Sequence, residues 1–518
     1  MSHSKFLPFL SSRTRLMFLA LVACLAGGCK SNSTCTGFGC DITVSINVDP
    51  HSAQLAAGGT FQFKLHLQYL NSSQIVWKVN GITGGNSTVG TISSNGLYTA
   101  PVGNYSDVKE KVTAYNPDFD ISDDSSVTVL AAHNIGVRQT TTFPEFVDNS
   151  TNKPFVARGN NYIRLASLTD PNGNTSLTHS TFNIGIYDGV RAEAALTAMQ
   201  AGGYNAVRVF LQGCCQNTIG DPAGGLSSGY VANVADFLRR AQTHGIYVII
   251  TSEWLPAYGG YNLNCPQYPT FNDVNLFHLC AGTVATTVQF WQDFVSALIS
   301  KAAPLQAILA YELVNEYYYN SAAGPLSLTS GMVTAANGQA YDMSKATSRQ
   351  AMMDEGLVFF TNQIRSAIIA LDPTALVTVG FFVPQGPNPT RTGDNRVITV
   401  YPVMANSTAD FVDLHAYPLP GDLTLDQIAQ NFGFVGYQQQ KPVMMAEFGG
   451  FMSEYPTAAD AAVGLSAWQS QSCTYHFDGW LLWTWDTDEQ TELWNANSSN
   501  GEIRLKLSPI AKADPCSP

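Results

Sequence analysis

The chain has 518 residues, 45% hydrophobic and 13% charged, with a formal net charge of −13. That length exceeds one compact core, so two or three domains are expected, and the composition excludes long disordered tails. The acidic balance excludes nucleic acid as a natural partner and adsorption to anionic membrane through a basic patch, because both need a basic face.

The N-terminus is basic in SKFLPFLSSRTR, apolar in LMFLALVACLAGG and polar in CKSNSTC. The apolar run is too short to span a bilayer and reads as a signal peptide. Small residues before a cysteine resemble a bacterial lipoprotein signal. Cys29 is the favoured lipidation site, Cys24 the alternative, and a plain secretory signal the simpler reading. Residues 1–29 are expected to be the signal and 30–41 a linker. The protein is then exported, as a periplasmic or cell-surface lipoprotein or as a secreted protein. Export implies disulfides. The expected pairs are Cys35–Cys40, Cys265–Cys280 and Cys473–Cys516; the adjacent Cys214 and Cys215 either bond each other or take other partners. No cysteine spacing fits zinc, and neither metal nor cofactor is expected.

Residues 42–131 read as all-β. Short alternating runs such as GTFQFKLHLQYL, QIVWKVNG and EKVTAYN are separated by the turn clusters AAGGT, NSS and SSNG. Even spacing predicts a sandwich. VWKVNG followed by GTISSNGLYTAP resembles a bacterial immunoglobulin-like domain, which places Trp77 in its core. No catalytic set stands out, and a spacer role is expected.

From 132 the pattern changes. FPEFVDNSTNKPFVARGNNYIRL predicts a hairpin leading into a strand, and apolar strands then alternate with helical patterns. Eight strands are expected: FVARGNNYI, AVRVFL, YVIITS, ILAYELV, LVTVGFF, FVDLHAY, PVMMAEF and GWLLWTW. Near-continuous apolar strands alternating with helices predict a parallel sheet, and eight units predict an α/β fold, a (β/α)8 TIM barrel over 132–518. No clear helix links the fifth and sixth strands. Segments 256–285, 320–344 and 384–398 are expected as inserted loops.

In such a barrel the reactive groups sit where strands end. The second strand supplies Arg208, the third Glu253 and Trp254, the fourth Asn315 and Glu316. The sixth supplies His415 and Tyr417, the seventh Glu447, and the eighth Trp483 and Trp485. Groups this polar in an apolar barrel need partners or a task. Two carboxylates with aromatic walls point to glycoside hydrolysis, and a retaining mechanism needs them about 5–5.5 Å apart. Asn315 is placed to bind the sugar 2-OH, Tyr417 and Arg208 to hold Glu447 ionised, and an eighth-strand Trp to stack on a sugar. Strand parity turns Glu312 inward, where a structural ion pair with Arg208 is expected; it also puts Trp483 and Trp485 on one face. His415 is a site residue or a satisfied core histidine. Tyr317, Tyr318 and Tyr319 either line a cleft or pack a loop.

The pieces AVRVFL, YELVNE, DLHAYP, PVMMAEFG and WLLWTWD, in that order, resemble clan A glycoside hydrolases and most of all family 5, the cellulases and mannanases. The resemblance covers roughly 150–490. It implies Glu316 as acid/base, Glu447 as nucleophile, and Arg208, Asn315, His415, Tyr417 and Trp483 as substrate-binding or supporting residues, to which Trp254 is added from its place at the end of the third strand. The implied substrate is a β-1,4-linked glucan or mannan, cut by a monomer. Two departures stand out. Tyr317 replaces the usual Pro after Asn-Glu, and the third strand lacks the family's His, leaving Glu253 or Trp254 for that role. Endo action is the family default, although the long loops can close one end. The rival readings are a non-catalytic carbohydrate-binding lipoprotein with a degenerate barrel and an adhesive surface protein.

Overall fold

The computed structural model describes residues 43–382, 400–418, 423–433, 435 and 439–516. The signal, Cys24, Cys29, the Cys35–Cys40 pair and the loop 384–398 lie outside the described residues.

Alternation of apolar and polar residues builds the N-terminal region. Val108–Asn116 and Ile121–Leu130 form a long antiparallel ladder. Val76–Val79 extends it on one side, while Ser52–Ala56 joins the other in parallel. A second sheet, Thr60–Gln62, Leu97–Thr99, Gly90–Ile92 and Gly85–Asn86, lies in the same region. Val48, Phe63, Trp77, Tyr98, Val112 and Val127 share one buried cluster, so Trp77 is a core residue as expected.

The parallel strands follow the predicted order. Ala157–Asn161, Ala206–Leu211, Tyr247–Ser252 and Ile308–Glu312 are the first four; Val412–His415, Val443–Phe448 and Phe477–Leu482 are the last three. Every residue of Ala206–Leu211 and Val443–Phe448 is buried, as strands covered on both faces require. Within Ala206–Leu211, Val207, Val209 and Leu211 belong to the large cluster that includes the surrounding helices, while Ala206, Arg208 and Phe210 alternate with them.

The fifth strand departs from the expected single run. It breaks at Val379: Val377–Thr378 pairs with the fourth strand and Gly380–Phe382 with the sixth. The two halves are the ends of one nine-membered strand order, so the barrel closes through this broken strand. The following link holds a six-residue helix, Val400–Ala405. Helices begin on side-chain caps: Asp188 accepts from the Val190 and Arg191 N–H groups, and Thr424 with Gln427 forms a capping box.

Insertions have structure of their own. The first βα loop carries an unpredicted hairpin, Leu165–Thr169 with Thr175–His179. Segment 256–285 contains a helix, Asp273–Leu279, tied at its end by the Cys265–Cys280 disulfide. Segment 320–344 contains the hairpin Met332–Thr334 and Ala340–Asp342. Cys473–Cys516 is bonded as expected, and Cys214 bonds Cys215.

The N-terminal region meets the barrel at the starts of its strands. His133 Nδ1 lies 2.9 Å from the carbonyl of Ile308, the first residue of the fourth strand. Its Nε2 lies 2.8 Å from Asp372, which precedes the fifth strand and also accepts from the Tyr311 hydroxyl at 3.1 Å. Gln54 donates to the carbonyl of Ile299. Among the described residues, no helix is long and apolar enough to cross a membrane.

Candidate active site

Arg208 is fully buried, and its guanidinium uses all five donors. Nε and Nη2 form a fork on Glu312 at 2.7 and 2.8 Å. Nη1 donates to Asn161 at 3.0 Å and to Glu447 at 2.5 Å, and Nη2 also donates to Asn315 at 2.6 Å. Burial alone lowers the Arg208 pKa, but Glu312 and Glu447 outweigh it and raise it. Glu312 is thus the scaffold ion pair expected from parity; Thr251 completes its shell at 2.9 Å. Gly380 leaves room for this carboxylate, because a Cβ there would run into Glu312 Oε1 and the Asn315 carbonyl.

Glu447 and Glu316 meet above this pair. Tyr417 donates to Glu447 Oε2 at 2.7 Å. The His415 Nδ1 stands 3.0 Å from Glu316 Oε1 and 3.4 Å from Glu447 Oε2. Burial lowers the His415 pKa, but Glu447 and the bond to Glu316 push it up to about 9, so at neutral pH its Nδ1–H faces the carboxyl groups of both. Beneath it, burial first and Glu312 second push the Asp413 pKa upward, toward the neutral acid. His415 is therefore joined to both candidate catalytic acids.

The aromatic residues divide. Trp483 is buried near the mouth, donates to Gln490 at 2.8 Å and meets Phe210 edge-on at 5.7 Å. Trp485 does not share its face. It packs on Tyr204 in the cluster that includes the surrounding helices, because the strand ends at Leu482 and its alternation stops there. Trp254 stands 40% exposed at the rim, 5.3 Å from Phe277. Tyr317 and Tyr319 are buried and bond each other at 2.8 Å, whereas Tyr318 lines the cleft.

Two residues were missed in the sequence. His179, from the first-loop hairpin, lies 3.3 Å from Glu253, 4.4 Å from the Phe210 ring and 5.7 Å from the Trp483 ring. Burial raises the Glu253 pKa, but His179 outweighs it and the net shift is downward. The third strand lacks a histidine, yet one reaches its end from another loop. Asp413, the other omission, was signalled only by its place two residues before His415.

Two sets of donors gather within 4.8 Å, Glu312–Asp413–His415 and Glu316–His415–Glu447. Arg208, bonded to Glu312 and Glu447, already supplies positive charge to both.

A family model described as cellulase (glycosyl hydrolase family 5) matches residues 169–489. Among solved structures, the endo-1,4-β-mannanase of Rhizomucor miehei is 15% identical, with 73% of this chain and 100% of that chain covered at a TM-score of 0.50. A β-mannanase of the mussel Mytilus edulis is 16% identical, with 74% and 98% covered at 0.45. An exo-β-1,4-mannosidase of Opitutaceae bacterium TAV5 is 15% identical, with 73% and 62% covered at 0.49. The first of these likenesses is one of fold. No curated protein matches the sequence.

Proposed function

The chain belongs to glycosyl hydrolase family 5, and from that premise we propose that it is a retaining glycoside hydrolase of β-1,4-linked glucan or mannan with Glu447 as nucleophile and Glu316 as acid/base. The observation that carries the reading is the approach of the two carboxylates, whose oxygens come within 4.8 Å around His415. Inversion needs about 6.5–9.5 Å, to admit a water between the carboxyl groups.

The sequence of steps follows from the surroundings. Glu447 attacks the anomeric carbon while Glu316 gives its proton to the leaving oxygen. Arg208 and Tyr417 hold one Glu447 oxygen each, which aligns the carboxylate and stabilises its charge. Water then opens the glycosyl ester, with Glu316 taking its proton. Arg208 holds the Asn315 oxygen, which leaves that residue's amide N–H groups as donors to a sugar hydroxyl. Trp483 and Trp254 supply apolar faces.

We assign the barrel to 132–518 and an immunoglobulin-like spacer to 42–131. Three disulfides support export to an oxidising compartment; lipid attachment at Cys29 and a monomeric state complete the proposal. The test is hydrolysis of glucan, mannan and xylan oligosaccharides followed by NMR. Initial release of the β-anomer is expected. Initial release of the α-anomer would sink retention, and no cleavage of any of them would sink the substrate class.

A further inference from the structure

Beside Glu316 the mouth continues into a cavity of about 430 Å³ between the ends of the third and fourth strands and the helices around them. Glu316 and Asn315 line it and Glu447 does not. If Glu316 protonates the departing oxygen, as proposed above, the leaving group sits on this side, and the inference rests on that assignment.

The wall is polar toward the opening, where Glu253, Asn315, Glu316 and Tyr318 are partly exposed, and largely apolar where it is buried. Val274, Phe277, Phe290, Leu313 and Phe360 contribute apolar surface. A sugar ring carries hydroxyls around its edge, and each loses a water partner when buried without replacement. Ser252, Thr287 and His278 are its buried polar residues; His278 is 3% exposed and its Nδ1 has no hydrogen-bond partner. Its ring stacks on Tyr317 at 3.9 Å, and burial pushes its pKa down to about 3. A neutral imidazole offers one donor and one acceptor, enough for a single hydroxyl or ether. Val274, Phe277 and His278 lie on the helix Asp273–Leu279, which the Cys265–Cys280 disulfide ties down, so the wall is preformed.

We propose that this cavity binds an apolar aglycone, so that the enzyme cleaves β-glycosides of aryl or arylalkyl alcohols. In that reaction the Glu447 carboxylate forms a bond to the anomeric carbon and the bond to the aglycone oxygen breaks. The Glu316 proton goes to that oxygen and the free alcohol is released. Water then hydrolyses the glycosyl ester and returns the proton to Glu316.

The test pairs methyl with 2-phenylethyl β-cellobioside and β-mannobioside, whose leaving alcohols are similar in acidity. Wild type is expected to favour the phenylethyl glycoside by about tenfold or more in kcat/KM, the worth of burying a phenyl group. Thr287→Trp, or Val274→Trp if the first variant does not fold, fills the cavity. Either should bring the ratio to about one and leave methyl glycoside cleavage within about threefold of wild type. Free 2-phenylethanol, followed by NMR titration, should bind wild type and not the filled variants. A wild-type ratio near one, or probe binding that survives filling, overturns the aglycone site while methyl glycoside cleavage keeps the hydrolase reading intact. Cleavage of neither glycoside, with the probe still bound, overturns the hydrolase reading and the aglycone role together.

Discussion

The two sides of the barrel mouth hold their carboxylates in opposite ways. The Glu447 side chain is 4% exposed and is met by Arg208, Tyr417 and His415. The Glu316 side chain is 36% exposed, and His415 is its hydrogen-bond partner. A nucleophile must stay ionised and aligned, which favours burial among fixed donors. A group that gives up and regains a proton in each cycle must stay within reach of water and of the leaving group. The fixed carboxylate and the accessible one are thus suited to different steps.

The largest expected effect separates the two acids by leaving group. Glu447→Gln should lower kcat by about 10⁴-fold or more on every substrate. Glu316→Gln should cost about 10²–10⁴-fold on oligosaccharides but much less in the first step on aryl glycosides that need no proton. Equal losses for both variants in burst kinetics on an activated aryl glycoside would break the contrast.

Next in size is the buried guanidinium. Arg208→Met leaves Glu312 and Glu447 without their cation, and a loss of about 3–5 kcal/mol is expected in urea unfolding. A loss below about 1 kcal/mol would mean that Arg208 does not hold the fixed side together.

A smaller effect is set by pH. The His415 pKa is raised from 6.5 to about 9 in the folded state. The stability it contributes is therefore fully present below pH 6.5 and lost as pH rises through about 9, a span worth roughly 3 kcal/mol. The Asp413 pKa is raised as well, so its contribution slopes in the same sense. Unfolding at pH 6 and pH 10 in wild type and His415→Gln isolates the His415 share; an unchanged slope in the variant would remove it.

The smallest change tests one bond. Tyr417→Phe removes the donor to Glu447 Oε2 and should cost about tenfold in kcat/KM with the fold intact. No change would leave Arg208 as the donor that sets the alignment of Glu447.

Much of this was legible before the structure. Asn315, Glu316, His415, Tyr417 and Glu447 stand at or near the ends of apolar strands and Arg208 inside one, and the barrel turns sequence order into proximity. Glu312 followed from parity because its strand pairs in regular register from Ala310 to that residue. Trp485 failed the same rule because its strand ends three residues earlier. His179 was hidden for another reason. Its hairpin belongs to a loop, although the turn sequence DPNGN between LASLT and TSLTH was a readable signal. The broken fifth strand could not be read, because LVTVGFF has the same apolar pattern whether it pairs on one side or divides between two neighbours. The three tyrosines needed the packing of His278 and Met353 to separate Tyr317 and Tyr319 from Tyr318.

His133 and Gln54 join the N-terminal region to the barrel at the end from which the strands start, whereas the carboxylates stand where they finish. The molecule is therefore polar along its axis, with a handle at one pole and an opening at the other. If the N-terminal region is the tether proposed above, an insoluble glucan or mannan would meet the opening first.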